Sequence, residues 1–250
     1  MIRRALDYSL ERGIVSRLLA GLPPDQAEHF RLRLRRLFRP ARLGTFRRPT
    51  PLSHDFGYDR GTPVDRYYIE RFLQAHRDKV QGRVLEVKES MYTERFGTGV
   101  TQRDVLDIDA ANPLATVIAD LAAADAIPDN AFDCFILTQT LQLIYDARSA
   151  IAHAHRIIRP GGALLATVPT LSPIVDDEQL TDYWRFTPAS CAALFGDIFG
   201  RDAIRVRGYG NVLTSIAFLE GMAQEELTAQ ELEAHDDRFA MLVSVCAVKD

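Results

Sequence analysis

The sequence predicts an α/β fold, a mostly parallel sheet flanked by helices, with a helical extension at its N-terminus. Three observations lead there. Short apolar runs recur at 83–88, 104–108, 115–119, 132–138 and 163–169, the length and composition of buried strands. A helix-like stretch at 147–158 separates the last two runs, and strands joined through helices form parallel sheets. Ahead of these, residues 1–50 carry 12 arginines against 4 acidic residues, a composition unlike the rest of the chain.

The elements read in order as follows. Residues 1–20 and 24–38 are expected to be helical, broken by "GLPP". Residues 39–63 contain four prolines and several glycines and read as a connecting loop. Residues 64–77 form a helix with Val64, Tyr68 and Phe72 on one side. "RPGGALLATVP" reads as a helix end, a Gly-Gly turn and a buried strand. In "TPASCAALFGDIFG", Thr187 is an N-cap candidate with Pro188 at the first helical position. A strand near 203–209, a helix near 212–223 and a last strand at 239–248 close the domain. The expected partition is an N-terminal extension and linker, 1–53, and an α/β domain, 54–250.

Composition excludes several classes. Hydrophobic residues are 47% and charged residues 26% of the chain, ordinary for a domain with a sizeable core. No apolar run is long enough to span a bilayer, and the N-terminus lacks the apolar stretch of a secretory signal. Cys134, Cys191 and Cys246 show no metal-ligand or disulfide spacing, so they read as buried thiols of a cytoplasmic protein with no metal site. The basic stretch "FRLRLRRLFRPARLGTFRR" places Phe30, Leu34, Leu37 and Phe38 on one helical face. It reads as a packed amphipathic helix, not a nucleic-acid grip, and leaves self-association through the N-terminal helices open.

From residue 54 onward the chain resembles the class I S-adenosylmethionine-dependent methyltransferases, particularly their type 11 group. The resemblance rests on Asp120, "IPDNAFDCFIL" and "RIIRPGGALL" in that order and spacing. "DYWRFTP", Asp182 to Pro188, is similar to a segment of relatives linked to sugar and polysaccharide modification. The resemblance implies a Rossmann-like, seven-stranded sheet whose last pair includes an antiparallel strand, with S-adenosyl-L-methionine as cofactor.

Open α/β sheets bind ligands beyond the carboxyl ends of their strands, where strand order reverses. The candidates at those ends are Glu86, Lys88 and Ser90, then Asp107 and Asp109, then Asp120 and Leu121, then Thr138. Asp109 is the first choice for the ribose hydroxyls, with Asp107 next. By the resemblance, Asp120 and the Leu121 backbone would meet the adenine. The family's turn after the first strand carries glycines, whereas this chain has Lys88, Ser90 and Tyr92. Either the turn is rerouted, with the Lys88 ammonium and the Ser90 and Thr93 hydroxyls holding the methionine carboxylate, or cofactor binding is weakened or lost.

Methyl transfer needs an acceptor aligned behind the methyl group and, for a hydroxyl, a base. His54 in "SHDFGYDRG" is the candidate base. Asp59 and Arg60 in the same loop, with Tyr183, Trp184 and Arg185, offer an acceptor wall of aromatic and cationic groups. Two functions stand: methyl transfer to a small polar acceptor such as a sugar, or a non-catalytic binding protein of the same fold.

Overall fold

The computed structural model describes residues 22–38, 44–176 and 180–250. Its contacts divide the chain into residues 1–49 and 50–250. In the first unit, helix α1 (Pro24–Phe38) is followed by a short 3-10 turn, Gly44–Phe46. Phe30 and Leu37 are exposed on α1 and Leu34 is half-buried. The helix expected at 1–20 and the Phe38 side chain lie outside the described residues.

The second unit is built on seven strands: β1 (Gly82–Val87), β2 (Val100–Asp107), β3 (Val117–Ile118), β4 (Phe132–Thr138), β5 (Ile158–Pro169), β6 (Ile204–Tyr209) and β7 (Leu242–Val248). Their order is β3-β2-β1-β4-β5-β7-β6. The first five run parallel, while β7 is antiparallel to both β5 and β6. This is the mostly parallel, Rossmann-like sheet expected.

Side chains alternate between two cores, as a period of two requires. Leu85, Phe135, Leu137 and Leu164 face helices α4 (Ala147–Ile157) and α5 (Pro188–Phe199). Val84, Cys134, Ile136 and Leu165 face α2 (Val64–Ala75), α3 (Met91–Phe96) and α6 (Val212–Leu219). A short helix, α7 (Ala229–Glu233), precedes β7.

Local chemistry sets the ends. Thr187 caps α5, its hydroxyl accepting from Ser190 N at 3.1 Å with Pro188 in the first turn. Asp146 caps α4 by accepting from Ser149 N at 2.9 Å. Helix α6 stops at Leu219, short of the expected 223, because Gly221 takes φ +67° and a Cβ there would sit 2.5 Å from the Ser53 carbonyl. That contact and the Leu52 N–H to Glu220 O bond of 2.8 Å dock the preceding loop. The "RPGG" stretch is not a free turn: it lies within β5, where the pairing with β4 shifts register between Phe132 and Cys134.

Candidate functional site

Strand order reverses between β1 and β4, so the crevice of this fold opens where those two strands end. Both strands are followed by a non-glycine residue in the left-handed region, Lys88 at φ +68° and Gln139 at φ +47°. Each is locked by a neighbouring strand: Lys88 N–H donates to Leu106 O (2.9 Å) and Gln139 N–H to Thr167 O (2.8 Å). Left-handed backbone is costly for a lysine, so the fold imposes it. The turn after β1 therefore follows a path that glycine would adopt freely, although its residue is lysine.

Helix α3, absent from the elements expected from sequence, begins directly after this turn. Its N-terminus is held by Glu86, whose buried carboxylate accepts from Tyr92 N (3.0 Å), Thr93 N (2.7 Å) and the Thr93 hydroxyl (2.7 Å). Burial pushes the Glu86 carboxyl up despite these donors. Glu86 thus shapes the turn from inside. Thr93 is buried with its hydroxyl spent on Glu86, and the Ser90 hydroxyl donates to Glu94 at 3.1 Å. Those two hydroxyls do not form the expected cradle with Lys88.

Asn112 ties the first two strand ends together. Its amide donates to the Lys88 carbonyl (2.8 Å) and to Asp107 Oδ2 (2.7 Å). Asp107 also accepts from Asp109 N at 3.0 Å. Burial works against the Asp107 charge, but these donors and the nearby Lys88 ammonium hold its carboxyl below the usual range. Asp107 is buried and builds the loop, whereas Asp109 is exposed, with Oδ1 accepting from Ala111 N at 2.8 Å. Asp120 lies just past β3 and is also exposed, accepting from Ala122 N at 2.9 Å, while Leu121 is buried beside it. Thr138 ends β4, its carbonyl accepting from the Thr140 hydroxyl at 2.9 Å.

The expected acceptor wall is partly rearranged. Trp184 Nε1 donates to the carbonyls of Ile144 and Tyr145, both at 3.1 Å. Tyr145 packs against Tyr183 and Trp184 at centroid distances of 5.3 and 6.0 Å. All three rings are exposed. Tyr145 was not singled out from sequence, since it sits in an ordinary loop and only the fold brings it to "DYWRFTP". Arg185 is not a free cation: it pairs with Asp182 and donates to the carbonyls of Ser172 (3.3 Å) and Pro173 (3.0 Å). Arg60 is likewise spent on Glu226, with a 3.0 Å bond from its Nε. Both arginines brace loops through these carboxylates. His54 and Asp59 are exposed on the loop ahead of α2.

Residues 93–166 match the Methyltransf_11 family, described as a methyltransferase domain. The match begins inside α3 and ends in β5, leaving β1 and the altered turn outside it. No curated protein matches the chain. Among solved structures, an S-adenosylmethionine-dependent methyltransferase from Mesorhizobium loti is 15% identical, with a TM-score of 0.48 over 74% of this chain and 100% of that one. One from Archaeoglobus fulgidus is 12% identical, TM-score 0.47, over 74% and 94%. Phosphoethanolamine N-methyltransferase 2 of Haemonchus contortus, in complex with S-adenosyl-L-methionine, is 16% identical, TM-score 0.48, over 68% of this chain and 49% of that one. The family match covers 74 of the 250 residues, the stretch that runs from α3 to β5 of the seven-stranded sheet.

Proposed function

We propose that the chain transfers a methyl group to a hydroxyl or amine of a small polar acceptor, a sugar or related metabolite being the first class to test. The observation that carries the reading is the turn after β1. Lysine there is held at φ +68°, so the crevice keeps the backbone path that glycine would supply. Bound cofactor supplies the electrophilic methyl group. On this reading Asp109 accepts from the ribose hydroxyls and Asp120 from the adenine amino group, both being exposed at strand ends with their loops already braced. Asp107 and Glu86 hold those loops in place and Lys88 lends a cation to the crevice.

The rings of Tyr145, Tyr183 and Trp184 form an open apolar face suited to the flat side of an acceptor. With Arg185 committed to Asp182, that face offers no guanidinium, which supports a neutral acceptor over an anionic one. His54 is the proposed base. Buried, unpaired Cys134, Cys191 and Cys246 support a reducing compartment such as the cytoplasm. No helix among the described residues is long and apolar enough to cross a membrane. The exposed Phe30 and Leu37 of α1 support a packing or self-association role for the N-terminal unit.

Calorimetry with the cofactor's demethylated product, S-adenosylhomocysteine, tests the reading, followed by methyl-transfer assays against neutral sugars and amines. Binding without transfer to any of them would refute the acceptor class. Absence of binding would refute the whole reading.

A further inference from the structure

Helix α1 (Pro24–Phe38) carries apolar residues along one side. Phe30, Leu34 and Leu37 stand at the i, i+4, i+7 spacing that lines side chains up on a helix. Phe30 is 40% and Leu37 69% exposed, while Leu34 is half-buried. Removing such side chains from water is what drives an amphipathic helix onto a partner, so a face this open calls for a covering surface.

The charge on the helix says what kind of surface. Arg31, Arg33 and Arg36 are exposed, and Arg31 pairs with Glu28 at 2.9 Å. Acids ahead of arginines follow the helix dipole, but the dipole acts only within the terminal turns. Here residues 30–48 hold eight arginines and no acidic residue, and the run continues past the helix to Arg47 and Arg48, both exposed. The rest of the chain has the opposite sign. With +8 on residues 1–50 and a net charge of −4, residues 51–250 carry −12.

We propose that α1 is a binding site for an anionic lipid bilayer. The helix lies flat on it, with Phe30, Leu34 and Leu37 at the boundary of headgroups and acyl chains and its arginines among the lipid phosphates and carboxylates. Helices with a strongly basic face and an opposite face of Phe and Leu bind in this way, and clusters of four to eight basic residues select anionic headgroups. Other occupants satisfy only half of the helix. Nucleic acid would neutralise the arginines and leave Phe30 and Leu37 in water. A second copy of α1 would cover the apolar side and bring like charges together. A bilayer meets both, and its repulsion of the acidic residues 51–250 confines the contact to the N-terminal unit.

The test is co-sedimentation of the intact chain with two kinds of vesicle, phosphatidylcholine alone and phosphatidylcholine mixed with phosphatidylserine. The mixed vesicles should bind the chain and the neutral ones should not, and added salt should weaken the binding. The double variant Arg33→Gln, Arg36→Gln should lose roughly tenfold or more in affinity. Phe30→Ser with Leu37→Ser should lose a similar factor while keeping every arginine. Circular dichroism matching the parent shows that the variants keep their helices. Absence of binding to the mixed vesicles, equal binding to both kinds, or a loss confined to one double variant overturns the proposal. Salt-dependent retention of RNA without vesicle binding would overturn it in favour of nucleic acid. A dimer that the serine variant breaks, again without vesicle binding, would overturn it in favour of a second copy.

Discussion

Replacing Lys88 by glycine separates the backbone of the turn from its side chain. At φ +68° the lysine bears the steric cost of a left-handed non-glycine residue, about 1–2 kcal/mol. Glycine removes that cost but loses about 0.5–1 kcal/mol more backbone entropy on folding. The N–H of residue 88 still bonds to Leu106 O and its carbonyl to Asn112 in the variant, so no hydrogen bond changes. The balance favours Lys88→Gly by about 0.5–1 kcal/mol, or roughly 1–4 °C in Tm for a chain of this size. Lys88→Ala keeps the Cβ and the strain, loses the ammonium that helps to hold Asp107 ionised, and should show no gain. Differential scanning calorimetry of the two variants against the parent reads this directly. A Lys88→Gly Tm at or below that of Lys88→Ala would refute the reasoning, since it would mean that the turn is not left-handed in solution.

Four further outcomes follow from the same geometry. Lys88→Gly and Lys88→Met should both bind S-adenosylhomocysteine more weakly than the parent, because both remove the cation beside the crevice; tighter binding by the glycine variant would mean that the lysine merely obstructs. Asp109→Ala should weaken that ligand by about 1–3 kcal/mol at unchanged Tm. Asp107→Ala should lower Tm as well, since it strips acceptors from Asp109 N and Asn112, and a thermally silent Asp107→Ala would contradict its bracing role. Finally, burial opposes the charge on Asp182, but the Arg185 pair and the Val175 N–H hold its carboxyl below the ordinary value of 3.8. A lowered carboxyl stabilises the fold above its unfolded value and loses that contribution as pH falls through the folded one. Emission of Trp184, the sole tryptophan, should therefore shift below about pH 4 in the parent; Asp182→Asn should lack this step, and identical acid profiles would count against the lock.

The sheet was legible chiefly through β4, β5 and β7, which are buried on both faces over most of their length. Runs such as 132–138 are apolar regardless of which side each residue takes. Caps such as Thr187–Pro188 declared themselves through residue type. Helix α3 was missed because it has six residues and its N-terminus is fixed by Glu86 from the preceding strand, a contact no local pattern encodes. Lys88, Asp109 and Asp120 could be placed near strand ends from sequence because they follow apolar runs. The site was misread at Thr93, Arg60 and Arg185, where residue type suggested a ligand and the fold supplies Glu86, Glu226 and Asp182 instead.

The central claim is that the lysine-bearing turn still frames a working cofactor crevice, and thermal denaturation with S-adenosylhomocysteine tests it most directly. At a hundred times its Kd the ligand should stabilise the fold by about 2.7 kcal/mol, a rise of roughly 5–11 °C that saturates with concentration. An unchanged Tm at millimolar ligand would contradict the account.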